Sequence, residues 1–293
     1  MLDLLDTMRI YFRGRDLILS AEKTKKVMIF NKGPNAKKEK WMWQGKELEE
    51  VKNFKYLGFI FNYKGNFKDH IAERKKKGII AAKTTWGLGE RKCKNEFKRR
   101  RMLFNYLLKS VMMYGAEIWG WEEWQELEKV QLKYFKWILK LEMTTPNYLV
   151  YKELGLGKIH GEGIKRAIKY EKKISKLPDE RLPKVVWNLQ DKEGETTYID
   201  ERKKLYNKLG WSVMYVNQKL KENKMIDKEM IQRYRDIELQ GIHSAIERST
   251  YNTRYKDIMV ETIPKYLMSY KRGIDISIMA KLRCGNFEKT NRQ

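Results

Sequence analysis

The aromatic run from Phe54 to Phe61 divides this sequence into two parts with different hydrophobic periodicity. The run has the β-prone composition of a strand, and its one glycine, Gly58, marks a place where a strand bulges or admits another backbone. From Asp69 onwards, apolar residues recur at the spacings of three and four that are typical of helices. The sequence therefore predicts a mainly α protein with a small α+β portion at its N-terminus.

Before the aromatic run, the pattern predicts one helix and several short strands. A single apolar face indicates a helix over Leu2–Phe12, which Gly14 ends. A short strand is predicted at Val27–Phe30, where a strong turn signal follows. A small hairpin is predicted to join Trp41–Trp43 to the residues around Leu48.

After the run, the clearest helix is predicted between Trp121 and Leu141. Its apolar face is formed by Trp124, Leu127, Gln131, Tyr134, Ile138 and Leu141, widened by Val130 and Trp137. Tryptophans can stack on unpaired bases, but this spacing favours packing in the core for Trp124 and Trp137. We predict the same for Trp119 and Trp121.

Two prolines, one glycine and mixed charge between Pro178 and Glu195 indicate a domain boundary. We therefore expect an α+β portion at residues 1–66, a helical domain at 67–177, a linker at 178–195 and a helical C-terminal region at 196–293.

The charge balance is the strongest compositional feature. Sixty-three Lys and Arg against 38 Asp and Glu give a formal net charge of +25. Such an excess attracts polyanions through phosphate contacts and counterion release, which predicts a nucleic-acid partner. A basic surface without a partner is the alternative. No helix pairs a purely basic face with a purely apolar one, so a membrane surface is not expected.

Cysteine and histidine usage excludes several classes. Cys93 and Cys284 cannot form a disulfide scaffold, and together with three histidines they lack the spacing of a zinc site. Asp3 and Asp6 stand where a signal peptide requires basic and apolar residues, and no apolar stretch is long enough to span a membrane. We expect a nuclear or cytoplasmic protein in a reducing compartment.

Two motifs in order resemble one protein family. The segment Leu19–Phe30 and the sequence Phe-Lys-Tyr-Leu-Gly at 54–58 resemble the end of the palm of a reverse transcriptase from a non-LTR (LINE-type) retrotransposon. In that family a Lys-Thr-x-x-Met-x-Phe segment precedes a Phe-Lys-Tyr-Leu-Gly strand, the primer grip, and a helical thumb follows. Here three residues separate Thr24 from Met28, one more than in the family pattern.

The resemblance continues through Leu107–Trp121, Thr145–Tyr148 and Arg283–Asn286. It implies a partial palm sheet with a primer-grip-like strand at 1–66, a thumb at 67–177 and a helical region at 196–293. In the family, a Cys/His zinc knuckle follows the last of these segments. We expect that this chain ends at Gln293 before such a knuckle.

The resemblance also implies the chemistry of the intact enzyme, an RNA-directed DNA polymerase. Its carboxylates, among them an Asp-Asp pair in a turn, hold two Mg²⁺ ions that activate the primer hydroxyl and stabilise the leaving pyrophosphate. This sequence contains no Asp-Asp pair, and the turn would fall just upstream of Met1. We therefore expect no catalytic residues, no metal site and no cofactor in this chain, and no DNA synthesis by the chain alone.

The parts that remain would position nucleic acid. The predicted nucleic-acid-binding residues are Lys23, Lys25, Lys55, Tyr56, Leu57, Gly58, Arg74, Lys75, Arg99, Arg100 and Arg101. The primer-grip-like residues are equally compatible with a buried core strand, and solvated loop lysines are the favoured interpretation of Lys23 and Lys25. The basic runs at 74–77 and 98–101 wind round their helices, so only one or two cations of each can face a groove.

The sequence therefore favours a fragment of a retrotransposon polymerase that retains template–primer binding, with RNA, DNA or their hybrid as partner. The alternative is a basic helical interaction or scaffold protein, or a non-functional remnant of a decaying element. The oligomeric state stays open.

Overall fold

The computed structural model describes residues 2–20, 25–27, 41–43, 45–94, 96–193, 196–221, 226–268 and 273–287. Two compact units are distinguished by their contacts, Met1–His70 and Ile71–Gln293. The described chain is mainly helical, and its strands lie near the N-terminus. This confirms the predicted fold class at that level.

The helices are α1 Leu2–Arg13, α2 Lys68–Lys92, α3 Phe97–Leu103, α4 Lys109–Met112, α5 Ala116–Trp119, α6 Gln125–Leu139, α7 Asn147–Leu154, α8 Ile159–Ser175, α9 Leu182–Glu193, α10 Thr197–Lys208, α11 Val213–Lys221, α12 Ile226–Glu247, α13 Tyr255–Ile258, α14 Lys265–Met268 and α15 Gly273–Arg283. A π-helical turn, Phe104–Leu108, joins α3 to α4. The strands are β1 Lys25–Val27, β2 Met42–Trp43, β3 Lys46–Glu47, β4 Glu49–Val51, β5 Asn53–Tyr56 and β6 Phe59–Asn62.

The strands of the first unit pair two by two. β1 runs parallel to β4, with Lys25 opposite Glu49. β2 and β3 are antiparallel, with Trp43 opposite Lys46, which confirms the hairpin predicted there. β5 and β6 are also antiparallel, with Tyr56 opposite Phe59.

The run Phe54–Phe61 was predicted as one strand, and this prediction is wrong. The chain reverses at Leu57 and Gly58, whose φ angles are 46° and 82°. Two consecutive residues with positive φ form the tight turn whose twist matches a two-residue hairpin. Gly58 adopts such a φ without strain, but leucine is not a typical turn residue. Only one of the two turn positions is therefore recognisable from the sequence.

In the second unit, α6 carries the predicted apolar face into the core. Leu127, Tyr134 and Ile138 are all buried. Trp119, Trp121 and Trp124 are buried as predicted, whereas Trp137 is only half-buried and lies beneath Lys133 Nζ, 5.0 Å from the ring centroid. The buried tryptophans therefore contribute to packing and not to an exposed stacking surface.

Helices α5 and α8 approach so closely that backbone contacts backbone. A Cβ atom placed on Gly120 would lie 2.4 Å from the carbonyl oxygen of Gly163. A Cβ atom on Gly163 would lie 3.0 Å from the carbonyl oxygen of Gly120. A side chain at position 120 would therefore overlap the backbone of α8, and a side chain at position 163 would make a tight contact with the backbone at Gly120.

The buried carboxylate of Glu153, on α7, connects three later parts of the chain. Arg283 donates to it from Nε (2.6 Å) and Nη2 (3.1 Å). The hydroxyls of Tyr255 and Tyr266 donate at 2.8 and 2.7 Å. Burial and the neighbouring carboxylate raise the pKa of both tyrosines, so the hydroxyls stay protonated as donors.

The range 178–195, predicted as a linker, contains helix α9 and lies within the second unit. Pro183 is the second residue of α9, a position where the missing N–H removes no helical hydrogen bond. Trp187 of α9 makes an edge contact with Tyr198, with ring centroids 6.5 Å apart, and the Arg202 guanidinium lies 5.2 Å from the Trp187 ring. Pro183 therefore begins a packed helix, whereas Pro178 lies in the short irregular segment between α8 and α9.

Candidate nucleic-acid interface

The hairpin β5–β6 presents the residues that were predicted to contact a primer. Lys55 is exposed, and the exposed fractions of Tyr56 and Leu57 are 58% and 77%. Their side chains therefore do not fill a core layer, which was the alternative interpretation of this run. The hairpin tip, defined here as Lys55–Gly58, is an exposed apolar projection with one adjacent cation.

Contacts with the start of α2 hold the hairpin in place. The backbone N–H of Ile60 donates to Nδ1 of the buried His70 at 3.3 Å, and the Phe59 and His70 rings stack at 4.1 Å. Asn62, also buried, donates from Nδ2 to Asp69 at 2.8 Å. The tip is thus an exposed turn on an anchored two-stranded support.

Leu57 combines high exposure with an unfavourable backbone conformation. Its φ of 46° lies in the left-handed region, which costs a residue with a side chain roughly 1–2 kcal/mol relative to glycine. Packing does not require leucine at a position that is 77% exposed. Strained backbone is concentrated at functional sites, which makes the exposed Leu57 a candidate contact residue.

The two lysines of the earlier motif are placed differently. Lys23 lies outside the described residues. Lys25 was predicted in a loop, but its backbone lies in β1, opposite Glu49 of β4. The loop interpretation of Lys25 is therefore wrong, because the parallel ladder begins two residues before Val27.

The first basic run lies on α2. Arg74 is 5% exposed, and its guanidinium lies 5.1 Å from the centre of the Tyr114 ring. Its Nε and Nη2 have no hydrogen-bond acceptor in the part of the chain that the structure describes. Lys75 is half-buried and Lys76 exposed. Arg74 was predicted to face phosphate, but its position gives it a packing role, and Lys75 is the better-placed cation.

The second basic run divides its three arginines between solvent and interior. Arg99 is exposed and pairs with Glu96 at 2.9 Å. Arg100 is buried and pairs with Glu90, so it is not available to phosphate. Because successive helical residues point about 100° apart, one run cannot present all its charges on the same face.

Arg101 supports the end of another helix. Its Nη1 and Nη2 donate at 3.1 Å to the carbonyl oxygens of Leu154 and Gly155, at the C-terminus of α7. Burial lowers the pKa of the guanidinium. No sequence pattern indicated this role, since the acceptors are backbone atoms more than 50 positions away.

Neither a metal centre nor a membrane span is found among the described residues. Within the described ranges, His, Cys, Asp and Glu side chains do not gather in groups of three or more that could hold a metal ion. Of the described helices, none has the length and apolarity needed to cross a membrane. Comparisons with protein-family models, with curated proteins and with solved structures gave no match to this chain.

Proposed function

We propose that this chain binds nucleic acid without copying it, and that the hairpin tip contacts the end of a strand held in a duplex. This is the role that the resemblance to a non-LTR reverse transcriptase gives to the Phe-Lys-Tyr-Leu-Gly segment. RNA, DNA and their hybrid are the proposed partners. On this proposal, the chain is a fragment of such a polymerase, with a partial palm and a thumb.

The observation that carries this proposal is the exposed, strained Leu57 beside the exposed Tyr56. An aromatic ring and an aliphatic side chain at the end of a supported turn can pack against a terminal base pair or the sugar of a terminal nucleotide. Gly58 follows directly, and its lack of a side chain lets the backbone come close to a sugar-phosphate.

Cations would contact the phosphates. Lys55 at the tip and Arg99 on α3 are exposed, and Lys75 on α2 is half-buried. Such side chains contact phosphates without reading the base sequence. With a formal net charge of +25, the chain would bind with a steep dependence on salt, because each neutralised phosphate releases counterions.

The test is fluorescence anisotropy of a labelled RNA–DNA hybrid with a recessed primer end, measured at two salt concentrations. We compare the wild-type chain with Leu57→Asp. The matched control is Leu189→Asp on α9, where leucine is 50% exposed, because it adds the same charge at a comparably exposed site.

We expect Leu57→Asp to weaken binding about tenfold or more, and Leu189→Asp to change it by less than about threefold. Equal losses in the two variants would exclude a role for the tip. Absence of salt-dependent binding in the wild type would favour the scaffold or remnant alternative. Primer extension by this chain alone would contradict the proposed lack of catalysis.

A further inference from the structure

A cleft in the second unit lies between the end of α7, the start of α8 and one face of α12. Its volume is about 470 Å³, which is within the range of about 300–1,000 Å³ that small-molecule sites occupy. Tyr151 and Tyr234 form part of its wall, and Gly155, Gly157 and Gly161 keep side chains out of it. No sequence motif indicated this cleft.

Charge in the cleft is unbalanced. The lining contains six cations and three carboxylates: Arg101, Lys109, Lys152, Lys158, Lys165 and Arg235, with Glu162, Glu238 and Glu261. The described part of the chain therefore leaves an excess of positive charge around a space large enough for a ligand. Such concave basic sites attract anions strongly, because the walls restrict screening by water.

Lys152 is the strongest indication that this cleft binds a ligand. Its side chain is 5% exposed, yet its ammonium group lies 3.9 Å from the nearest carboxylate that the described chain provides, that of Glu261. That distance is longer than a hydrogen bond, and the Glu261 side chain is 86% exposed. A buried ammonium requires compensation by an opposite charge, and the protein supplies little of it.

Arg101 adds a second cation without a carboxylate. Its guanidinium is held by the carbonyl oxygens of Leu154 and Gly155. At the mouth of the cleft, Arg235 is exposed, and no carboxylate of the described residues lies within 4.0 Å of it. These cations converge on the cleft from three different helices.

The other lining cations are partly neutralised. Lys109 and Lys165 share Glu162, at 3.5 and 3.7 Å. Burial opposes ionisation of Glu162, but the neighbouring cations outweigh it and lower the pKa of this carboxyl. Lys158 lies between Glu123 and Glu238 at 2.8 and 2.7 Å. Lys158 is therefore fully paired, whereas the single carboxylate of Glu162, shared by Lys109 and Lys165, leaves positive charge for a ligand to meet.

The N-terminus of helix α8 is already occupied by a carboxylate of the chain itself. The helix begins at Ile159, and the backbone N–H of His160 donates to Oε1 of the buried Glu128 at 3.0 Å. The helix end therefore adds nothing to the cleft, and the lining cations, Lys152 and Arg101 among them, are what suits it to phosphate oxygens.

We propose that this cleft binds a phosphate-bearing anion, which the buried Lys152, the half-buried Arg101 and the exposed Arg235 would contact. The phosphate belongs either to a small molecule such as a nucleotide or to the backbone of a nucleic-acid strand. The inference does not rest on the hairpin tip.

The test is isothermal titration of the full chain with inorganic tripolyphosphate, with ATP and with a short oligothymidylate. The variants are Lys152→Met, which keeps the volume but removes the charge, and Arg235→Gln, which changes only the exposed mouth. The control is Lys169→Gln, an exposed cation of α8 that lies outside the cleft lining. Circular dichroism verifies the fold of each variant.

We expect saturable binding that weakens about tenfold or more in Lys152→Met, about threefold or more in Arg235→Gln, and less than about twofold in Lys169→Gln. Tighter binding of tripolyphosphate and ATP than of the oligonucleotide assigns the phosphate to a small molecule, and the reverse order assigns it to a strand. No saturable binding of any ligand, or equal losses in all three variants, would overturn the proposal.

Leu57→Asp separates this inference from the proposed function. We expect this variant to bind tripolyphosphate like the wild type while it loses affinity for the RNA–DNA hybrid. A negative result for the cleft therefore does not affect the proposal for the hairpin tip, and a negative result for the tip does not affect the proposal for the cleft.

Discussion

Asn286 and Thr145 lie 141 positions apart in the sequence and share a buried hydrogen bond, in which Asn286 Nδ2 donates to Thr145 Oγ1 at 2.8 Å. Asn286 Oδ1 also accepts the backbone N–H of Glu142 at 3.3 Å. The segments Thr145–Tyr148 and Arg283–Asn286 were selected from the sequence as separate motifs. The structure brings the two segments together. They connect the chain after α15 to the residues that precede α7.

Replacing Asn286 with alanine should destabilise the chain by about 2–3 kcal/mol, because Thr145 and the amide of Glu142 lose a partner inside the fold. Urea unfolding followed by circular dichroism measures the change. Asn207→Ala, at an exposed position of α10, is the matched control and should change the free energy of unfolding by less than about 0.5 kcal/mol. Equal effects of the two substitutions would contradict a role for the buried contact.

Replacing Arg283 with methionine should cost about 3–5 kcal/mol, because the buried carboxylate of Glu153 loses its cation. Adding Glu153→Gln to Arg283→Met removes the uncompensated charge, so the double variant should be more stable than Arg283→Met alone. Chemical denaturation of Arg283→Met, Glu153→Gln, the double variant and the wild type completes the double-mutant cycle. A double variant less stable than Arg283→Met would mean that charge compensation is not the main contribution.

Leu57→Gly should stabilise the hairpin by about 1 kcal/mol, because glycine adopts positive φ without the strain that leucine carries. The same substitution should weaken binding of the RNA–DNA hybrid, since the exposed side chain is lost. Amide hydrogen exchange over residues 53–62 reports the first effect, and anisotropy reports the second. A gain in protection without loss of binding would place the function of the tip elsewhere.

His160 should make stability depend on pH. Burial lowers its pKa from the ordinary value of 6.5, although the Trp121 carbonyl and Glu123 oppose this shift, and Lys208 and Glu238 also face the ring. Since the unfolded chain then binds more protons, stability is full above 6.5 and declines as the pH falls from there towards the folded pKa.

Urea titrations between roughly pH 5 and 8 measure this effect. The variant His160→Gln should show a shallower decline below the ordinary histidine pKa than the wild type. Above that value, the free energies of unfolding of the two proteins should change with pH in parallel, because the ring is neutral in both the folded and the unfolded state. Parallel curves over the whole range would show that another group carries the pH dependence.

The helices were the part of the fold that the sequence predicted best. The first helix was predicted over Leu2–Phe12 and is observed over Leu2–Arg13. The helix predicted between Trp121 and Leu141 is observed over Gln125–Leu139, with the predicted face buried. Repeated apolar spacing and a terminal glycine are local signals, and both can be read without knowledge of the partner surface.

The candidate sites depended on information that is not local. No pattern showed that Arg100 would pair with Glu90, or that Arg101 would bind backbone carbonyls of α7, because both contacts depend on how helices pack. Leu57 was missed as a turn residue because leucine is seldom found at positive φ. The cleft around Lys152 could not be predicted either, because its cations come from separate helices that only packing brings together.

The contact between Gly120 and Gly163 restricts how this sequence can diverge. A methyl group at position 120 collides with main-chain atoms, and one at position 163 presses on them at 3.0 Å; main-chain atoms cannot move aside as a flexible side chain can. Substitution at one site cannot be compensated at the other, since neither residue has anything left to remove. Distant relatives with this helix crossing should therefore keep both glycines, and the pair offers a means of recognising them after most other identities have been lost.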